Sequence, residues 1–263
     1  MQAPLQIHMQ GVSLRYASRM DTEVIRNLDF SSREGEFICL LGPSGCGKSS
    51  VLRLLAGFQQ PTSGVVQVNS RTVTEPSNER AVVFQGDDSL FEWLSAYDNV
   101  AFGPRMRGLS SAEIDPIAMK FLRMVGLADH AHKFPRELSG GMRQRIQIAR
   151  VLANNPRIML MDEPFAALDA QTRTELQDEL IRIWSADKKS VVFITHDIGE
   201  SIVLADRIGI MSAGPGSRII ETIEVDLPRP RSRANPKFGE LYERIGRLIH
   251  DQVKSRARHA QNA

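Results

Sequence analysis

Eight consecutive residues, Gly42-Pro43-Ser44-Gly45-Cys46-Gly47-Lys48-Ser49, fit the pattern GxxxxGK[ST] at every fixed position, and Ser50 follows them. Glycines so spaced let successive backbone amides turn inward around an anion, and a helix opening at the end of the loop adds positive potential. The chemistry this suits is the cradling of a nucleoside triphosphate, with Lys48 reaching the β- and γ-phosphates and the Ser49 hydroxyl on a magnesium ion. A second stretch, Ile158–Pro164 (IMLMDEP), ends an apolar run in two adjacent carboxylates. Asp162, at the end of a buried strand, is placed to hold magnesium through water, and Glu163 to polarise the attacking water as a general base. A third stretch, Leu138–Met142 (LSGGM), puts Ser139, Gly140 and Gly141 at the start of a helix, where outward-facing amides make a second anion site.

Placing these groups requires strands that end in loops. Leu5, Ile7, Met9, Val12 and Leu14, then Val24, Leu28 and Phe30, are apolar at strand-like intervals and predict strands with one buried face. Glu36–Leu41 (EFICLL) is a nearly continuous apolar run, expected of a strand covered on both faces, and it feeds the glycine loop. Lys48–Ala56 has helical spacing and is closed by Gly57. Further short strands are expected at Gly64–Val68 and Arg80–Phe84. From about Asp87 to Asn155 helical patterns take over, punctuated by Gly103-Pro104, Gly108 and Pro135. Met142, Ile146, Ala149 and Ala153 mark one helix, ended by Asn154-Asn155-Pro156. Buried-strand runs return at Ile158–Met161, Val191–Thr195 and Arg207–Met211, with Leu176, Leu180 and Ile183 forming a helix face between the first two. Pro228–Pro236 reads as a linker, and Lys237–Val253 as an amphipathic helix with Phe238, Leu241, Ile245 and Leu248 on one side. The division expected is a nucleotide core over 1–86 and 156–228, a helical insert over 87–155, and a basic linker with a helix over 229–263.

Composition narrows the function classes. The chain has 263 residues, 42% of them hydrophobic, and a formal charge of +2, which gives no ground for wholesale nucleic-acid binding. From Arg229 onward nine Lys/Arg face three Asp/Glu, which suits either a solubilising tail or an electrostatic contact with anionic lipid. No run approaches the ~20 apolar residues that span a bilayer. The N-terminus lacks the charged and apolar blocks of a secretory signal, so a cytoplasmic chain is expected. The two cysteines make no disulfide framework: Cys39 reads as a small apolar strand residue, and Cys46, in the phosphate loop, as a bystander sensitive to modification.

Taken in order, the three motifs resemble those of the ABC ATPases, the nucleotide-binding domains of ATP-binding cassette systems, and the resemblance runs to about Pro228. It implies an α/β fold: a P-loop NTPase (RecA-like) core with an N-terminal antiparallel β subdomain and an inserted α-helical subdomain. It implies ATP and Mg2+ as ligands and a head-to-tail dimer, in which Ser139, Gly140 and Gly141 of one copy close on the γ-phosphate held by the other. Residue by residue, Tyr16 falls where the family stacks an aromatic on adenine, and Gln85 where the Q-loop glutamine meets magnesium and the attacking water. Asp169, in Ala167-Leu168-Asp169, matches the D-loop that crosses the dimer interface, and His196 the switch histidine at the γ-phosphate. Met142 departs from the usual glutamine, which removes a side-chain amide that could act across the dimer.

Two function classes fit such a chain: a transport motor docked on a membrane permease, and a soluble ABC protein working on DNA or ribosomes. One cassette, no heptad array and no CxxC pairs favour transport. Membrane helices absent from the chain favour an importer, because exporters of this family commonly fuse theirs. Phe84-Gln85 through Trp93, Asp98–Gly103, Glu163–Asp169, Thr195–Ile198 and Met211–Gly216 resemble the nitrate/sulfonate/taurine import group. That resemblance implies permease subunits, with a groove lined by Phe91, Trp93 and Leu94. It implies also, at one remove, an external solute-binding protein, a peripheral place on the cytoplasmic face of a bacterial inner membrane, and no nucleic-acid partner.

Overall fold

The computed structural model describes residues 5–16, 22–86 and 89–261, with side chains to 254. Asp87, where the helical insert is expected to begin, lies outside the described residues. In chain order the first elements are strands β1 (Leu5–Tyr16), β2 (Thr22–Arg33) and β3 (Phe37–Leu41), helix α1 (Lys48–Ala56), and strands β4 (Ser63–Val68), β5 (Arg71–Thr72) and β6 (Arg80–Val83). Helices α2 (Ala96–Met106), α3 (Ser111–Met124) and α4 (Gly140–Ala153) follow, then β7 (Ile158–Asp162) and α5 (Ala170–Asp187). The chain continues through β8 (Ser190–Thr195), α6 (Ile198–Leu204), β9 (Arg207–Met211), β10 (Ile219–Glu224) and α7 (Pro236–Gln261). These elements form two compact units, one of residues 1–77 with 188–263 and the other of residues 78–187.

The first unit holds an antiparallel sheet ordered β2-β1-β4-β5, and the strands β10-β9-β3-β8 side by side. Ile7, Met9, Val12 and Leu14 of β1 and Leu28 and Phe30 of β2 are buried, as their spacing predicts, whereas Leu5 is exposed and Ile25, not Val24, turns inward in a strand pair with irregular register. β3 is paired in parallel with both β8 and β9, and all five of its residues are buried. A strand enclosed on both faces has no reason to alternate, which is why Phe37–Leu41 reads as an unbroken apolar run. The glycine that closes α1 is required there. Gly57 sits at φ 82°, and a Cβ on it would lie 2.3 Å from the Glu75 carbonyl oxygen.

The segment expected as a linker is irregular in backbone but firmly anchored. Arg231 donates to the carbonyls of Ile202 (2.7 Å), Val225 (3.1 Å) and Leu227 (3.1 Å), and also to that of Ala205. Arg229 is paired with Asp206 at 2.5 Å and donates to the Leu204 carbonyl. Part of the basic surplus in this stretch thus satisfies backbone carbonyls at the end of α6. Burial lowers the Arg231 guanidinium to about 10. Beyond it α7 buries Phe238 and Ile245 as expected and runs eight residues past the predicted end, to Gln261.

The second unit pairs β6 with β7 in parallel and carries the helices α2 to α5. Ile146, Ala149 and Ala153 of α4 are buried, as the spacing predicts, while Met142 is half-exposed. Two expectations are corrected here. Gly103-Pro104 does not break the chain into separate helices, because α2 runs through it to Met106. The proline falls in the last turn, where only one helical bond is lost and the Arg107 amide closes the end on Gly103 and Pro104. Gly103 is there for space: a Cβ would come within 2.7 Å of the Asn154 side chain at the end of α4. In α5 the buried row is Leu176, Leu180 and Trp184, with Ile183 half-exposed, since the strict i, i+4 row places Trp184 inward.

Candidate functional site

The glycine loop lies in the first unit, between the end of β3 and the start of α1. Gly45 and Gly47 take φ of 75° and 90°, values that L side chains rarely adopt. A Cβ on Gly45 would meet nothing within 4 Å, so the loop is open on that side. α1 begins without a side-chain cap and without an acidic residue in its first turn. Its N-terminal amides therefore face whatever anion the loop encloses, and the helix dipole adds to their pull. Lys48 is buried, and its Nζ donates to the carbonyls of Gly42 (2.8 Å) and Pro43 (3.1 Å), which hold the ammonium over the loop. These features fit a polyphosphate. The Ser49 hydroxyl beside them is a hard oxygen donor of the kind magnesium takes.

Cys46 is wholly buried, its sulfur 4.0 Å from the Lys48 ammonium. A thiol without solvent access is not the modification-sensitive group expected from its place in the loop. Cys39 is enclosed in β3, where burial pushes its thiol well above the ordinary range.

Two further predicted residues belong to the same unit. β3 and β8 are parallel neighbours in the register Leu41 with Thr195, so Gly42 and His196 continue from adjacent strand ends. His196 is exposed there, at the carboxyl edge where open α/β sheets bind ligands. Tyr16 ends β1 half-buried. Its hydroxyl donates to the Gln59 side chain (2.9 Å) and lies 3.2 Å from the hydroxyl of Ser50, the residue after the loop motif. The ring is thereby fixed at the first turn of α1.

The second unit assembles the carboxylates and the LSGGM motif. β6 and β7 are parallel in the register Val83 with Met161, so Gln85 and Glu163 emerge two residues later from neighbouring strands. The Gln85 amide donates to the Glu163 carboxylate at 3.3 Å. Asp162 closes β7 and is buried. Glu163 takes φ 45°, a left-handed backbone for a residue with a side chain, which costs on the order of 1–3 kcal/mol and persists where surrounding structure enforces it. Ser139 is exposed and caps α4, its Oγ accepting from the Met142 amide at 3.3 Å. Gly140 and Gly141 form the first turn behind it, with no acidic residue. Asp169 accepts from the Thr172 amide at 3.0 Å and caps α5, and the Thr172 backbone and hydroxyl hold its carboxyl below the usual range.

Several residues that matter here were not singled out from the sequence. Gln144, almost wholly buried in α4, donates to the Glu163 carbonyl (3.4 Å) and accepts from the Ala167 amide (3.2 Å). Gln147, one turn on and fully buried, bonds the backbone on both sides of Gln85. With its amide oriented to satisfy both atoms, it donates to the Phe84 and Gly86 carbonyls (3.2 Å each) and accepts from the Phe84 amide (3.1 Å). Asn99, fully buried, ties the 91–95 turn with bonds to the backbone of Phe91, Leu94 and Ser95. That turn presents Phe91 against Phe102 (4.6 Å between ring centroids) and under Arg150, and leaves Trp93 73% exposed. The available signal was the recurrence of glutamine at 144 and 147 among apolar positions at helical spacing.

The predicted site residues thus fall into two groups. The glycine loop, Tyr16, Ser50 and His196 lie in one unit. Gln85, Asp162, Glu163, the Ser139 turn and Asp169 lie in the other. Comparison with known proteins bears on what such a set does. The family model described as ABC transporter matches residues 25–166. An uncharacterized ABC transporter ATP-binding protein of Methanocaldococcus jannaschii is 46% identical over 88% of this chain and 86% of its own. The nitrate import ATP-binding protein NrtD of Synechococcus elongatus is 45% identical over 82% and 81%, and the taurine import ATP-binding protein TauB of Pseudomonas aeruginosa 42% over 90% and 92%. Among solved structures, a dimeric ATP-binding cassette in a post-hydrolysis state bound to ADP and Pi matches with a TM-score of 0.75 and 30% identity. It covers 84% of this chain and 100% of that one. The α/β P-loop fold expected from the sequence is the fold of that cassette. With a family match over more than half its length and relatives of this identity along most of it, the chain belongs to the ABC transporter family, whose ATP-binding chains hydrolyse ATP to power transport.

Proposed function

We propose that this chain is the ATP-hydrolysing subunit of a bacterial importer for small anions of the nitrate, sulfonate or taurine kind. The observation that carries the reading is its likeness, over most of both chains, to proteins named for nitrate and taurine import. Two copies bind ATP head to tail, and the closed pair draws together the halves of an attached permease at the cytoplasmic face of the membrane. Among the described residues no helix is long and apolar enough to cross a membrane, so in this reading the permease is supplied by other chains. An external solute-binding protein delivers the cargo to it.

In this reading the glycine loop wraps the phosphates with its amides, and Lys48 leaves part of its carbonyl shell to meet the β- and γ-phosphates. Tyr16 stacks on adenine, its hydroxyl fixed by Gln59 and Ser50. Ser49, Asp162 and Gln85 would hold magnesium, which would supply positive charge against the phosphates. Glu163 accepts a proton from the attacking water, Gln85 orients that water, and His196 contacts the γ-phosphate. The Ser139–Gly141 turn supplies hydroxyl and amides to the γ-phosphate of the opposite copy, and Asp169 lies at the interface between copies. Trp93, exposed on a turn that Asn99 holds rigid, is the permease contact.

Affinity capture of the tagged chain from detergent-solubilised host membranes tests the reading. Recovery of a multi-helix permease is the expected result. Recovery of soluble nucleic-acid proteins alone, with ATPase activity stimulated by DNA, would replace transport with the soluble alternative.

A further inference from the structure

The helix that carries the LSGGM turn also carries two buried carboxamides, and each is spent on the backbone of one catalytic loop. Gln144 spans the turn after Glu163: its Nε2 donates to the Glu163 carbonyl and its Oε1 accepts from the Ala167 amide, at 3.4 and 3.2 Å. A carboxamide suits this pairing, since it offers a donor and an acceptor on separate atoms to one backbone acceptor and one backbone donor. Gln147 does the same for the loop of Gln85, bonding Phe84 through both its amide and its carbonyl. The front of the helix touches the same turn, since a Cβ on Gly141 would meet the Ala167 carbonyl oxygen at 3.5 Å, an ordinary van der Waals distance. Glu163 keeps a left-handed backbone, at φ 45°, which its surroundings must enforce, and Gln144 is part of that enforcement.

The geometry points to Gln144 and Gln147 as positioning residues for hydrolysis: they lock the loops of Glu163 and Gln85 to α4, so that a shift of the Ser139 turn is carried to the general base. A single rigid element then bears one anion-binding turn and fixes the two side chains that act on the attacking water. The inference rests on Glu163 being that base.

The test is steady-state ATP hydrolysis by the full chain with Gln144→Glu and Gln147→Glu, each nearly the shape of the native residue but unable to donate. Glu163→Gln is assayed in parallel. Misplacement of a base by a fraction of an ångström predicts that kcat falls by about ten- to a hundredfold while KM for ATP moves less than about threefold. ATP-binding stoichiometry, measured on the same samples, sets the folded fraction. Gln144→Asn, too short to reach both backbone groups, should fail to restore kcat. Loss of rate only in proportion to loss of ATP-binding sites would reduce the glutamines to structural residues and overturn the inference. Unchanged kcat in both glutamate variants, with Glu163→Gln inactive, would overturn the inference and leave Glu163 standing. Full activity in Glu163→Gln would remove its basis altogether.

Discussion

At the scale of single residues, Lys48 and Glu163 are held in different ways. Lys48 rests on two carbonyls of its own loop, which satisfy a buried ammonium that would be costly to leave unpaired. Glu163 takes a left-handed backbone and accepts from two side-chain amides, on its carboxylate from Gln85 and on its carbonyl from Gln144. Tyr16 is the sharpest case to test. Its hydroxyl bonds Gln59 and Ser50, whereas stacking on adenine would use only the ring face. Tyr16→Phe should therefore leave ATP affinity within about twofold, while Tyr16→Ala should weaken it about tenfold, as loss of a base–aromatic stack does. Equal effects of the two changes in a nucleotide titration would assign Tyr16 to the fold alone. The phosphate loop, both carboxylates and the LSGGM serine were legible because their spacing along the chain is the motif. Gln144, Gln147 and Asn99 were not, because a glutamine or asparagine in a helix looks the same in sequence whether it faces water or a buried carbonyl.

Helices and strands show the same split between local and tertiary causes. α1 begins and ends where Lys48 and Gly57 place it, and β9 spans the predicted Arg207–Met211, since caps and apolar runs are local properties. Pro104 inside α2 and the arginine anchors of the 228–236 stretch depend on what lies across from them. Helices α2 and α3 are joined by Tyr97, whose phenol donates to the Asp115 carboxylate. That bond, with some burial and the negative charge beside it, pushes the phenol up to about 12 from its ordinary 10. Between those values the unfolded chain has released this proton and the folded chain has not, so folding stability falls as pH rises from 10 to about 12. Chemical denaturation across this window should show that added slope, and Tyr97→Phe should remove it. An identical slope in the variant would place its origin in other groups.

At the scale of the molecule, the groups proposed for hydrolysis divide between the two units. The glycine loop lies in one, and the carboxylates and the Ser139 turn in the other. In the proposed reading the set is completed twice over, by two chains facing head to tail, each offering its Ser139 turn to the other's ATP. Closure then follows from thermodynamics, because ATP binds the closed pair better than the open one and shifts the equilibrium toward it. Hydrolysis removes the ligand that holds the pair closed and lets the permease reset. The most direct measurement is the mass of the Glu163→Gln chain in solution, by sedimentation, with and without ATP and magnesium. A monomer without nucleotide and a stable dimer with ATP are expected, while hydrolysis drops by about a hundredfold or more. A chain that stays monomeric at saturating ATP, with nucleotide bound, would contradict the shared site.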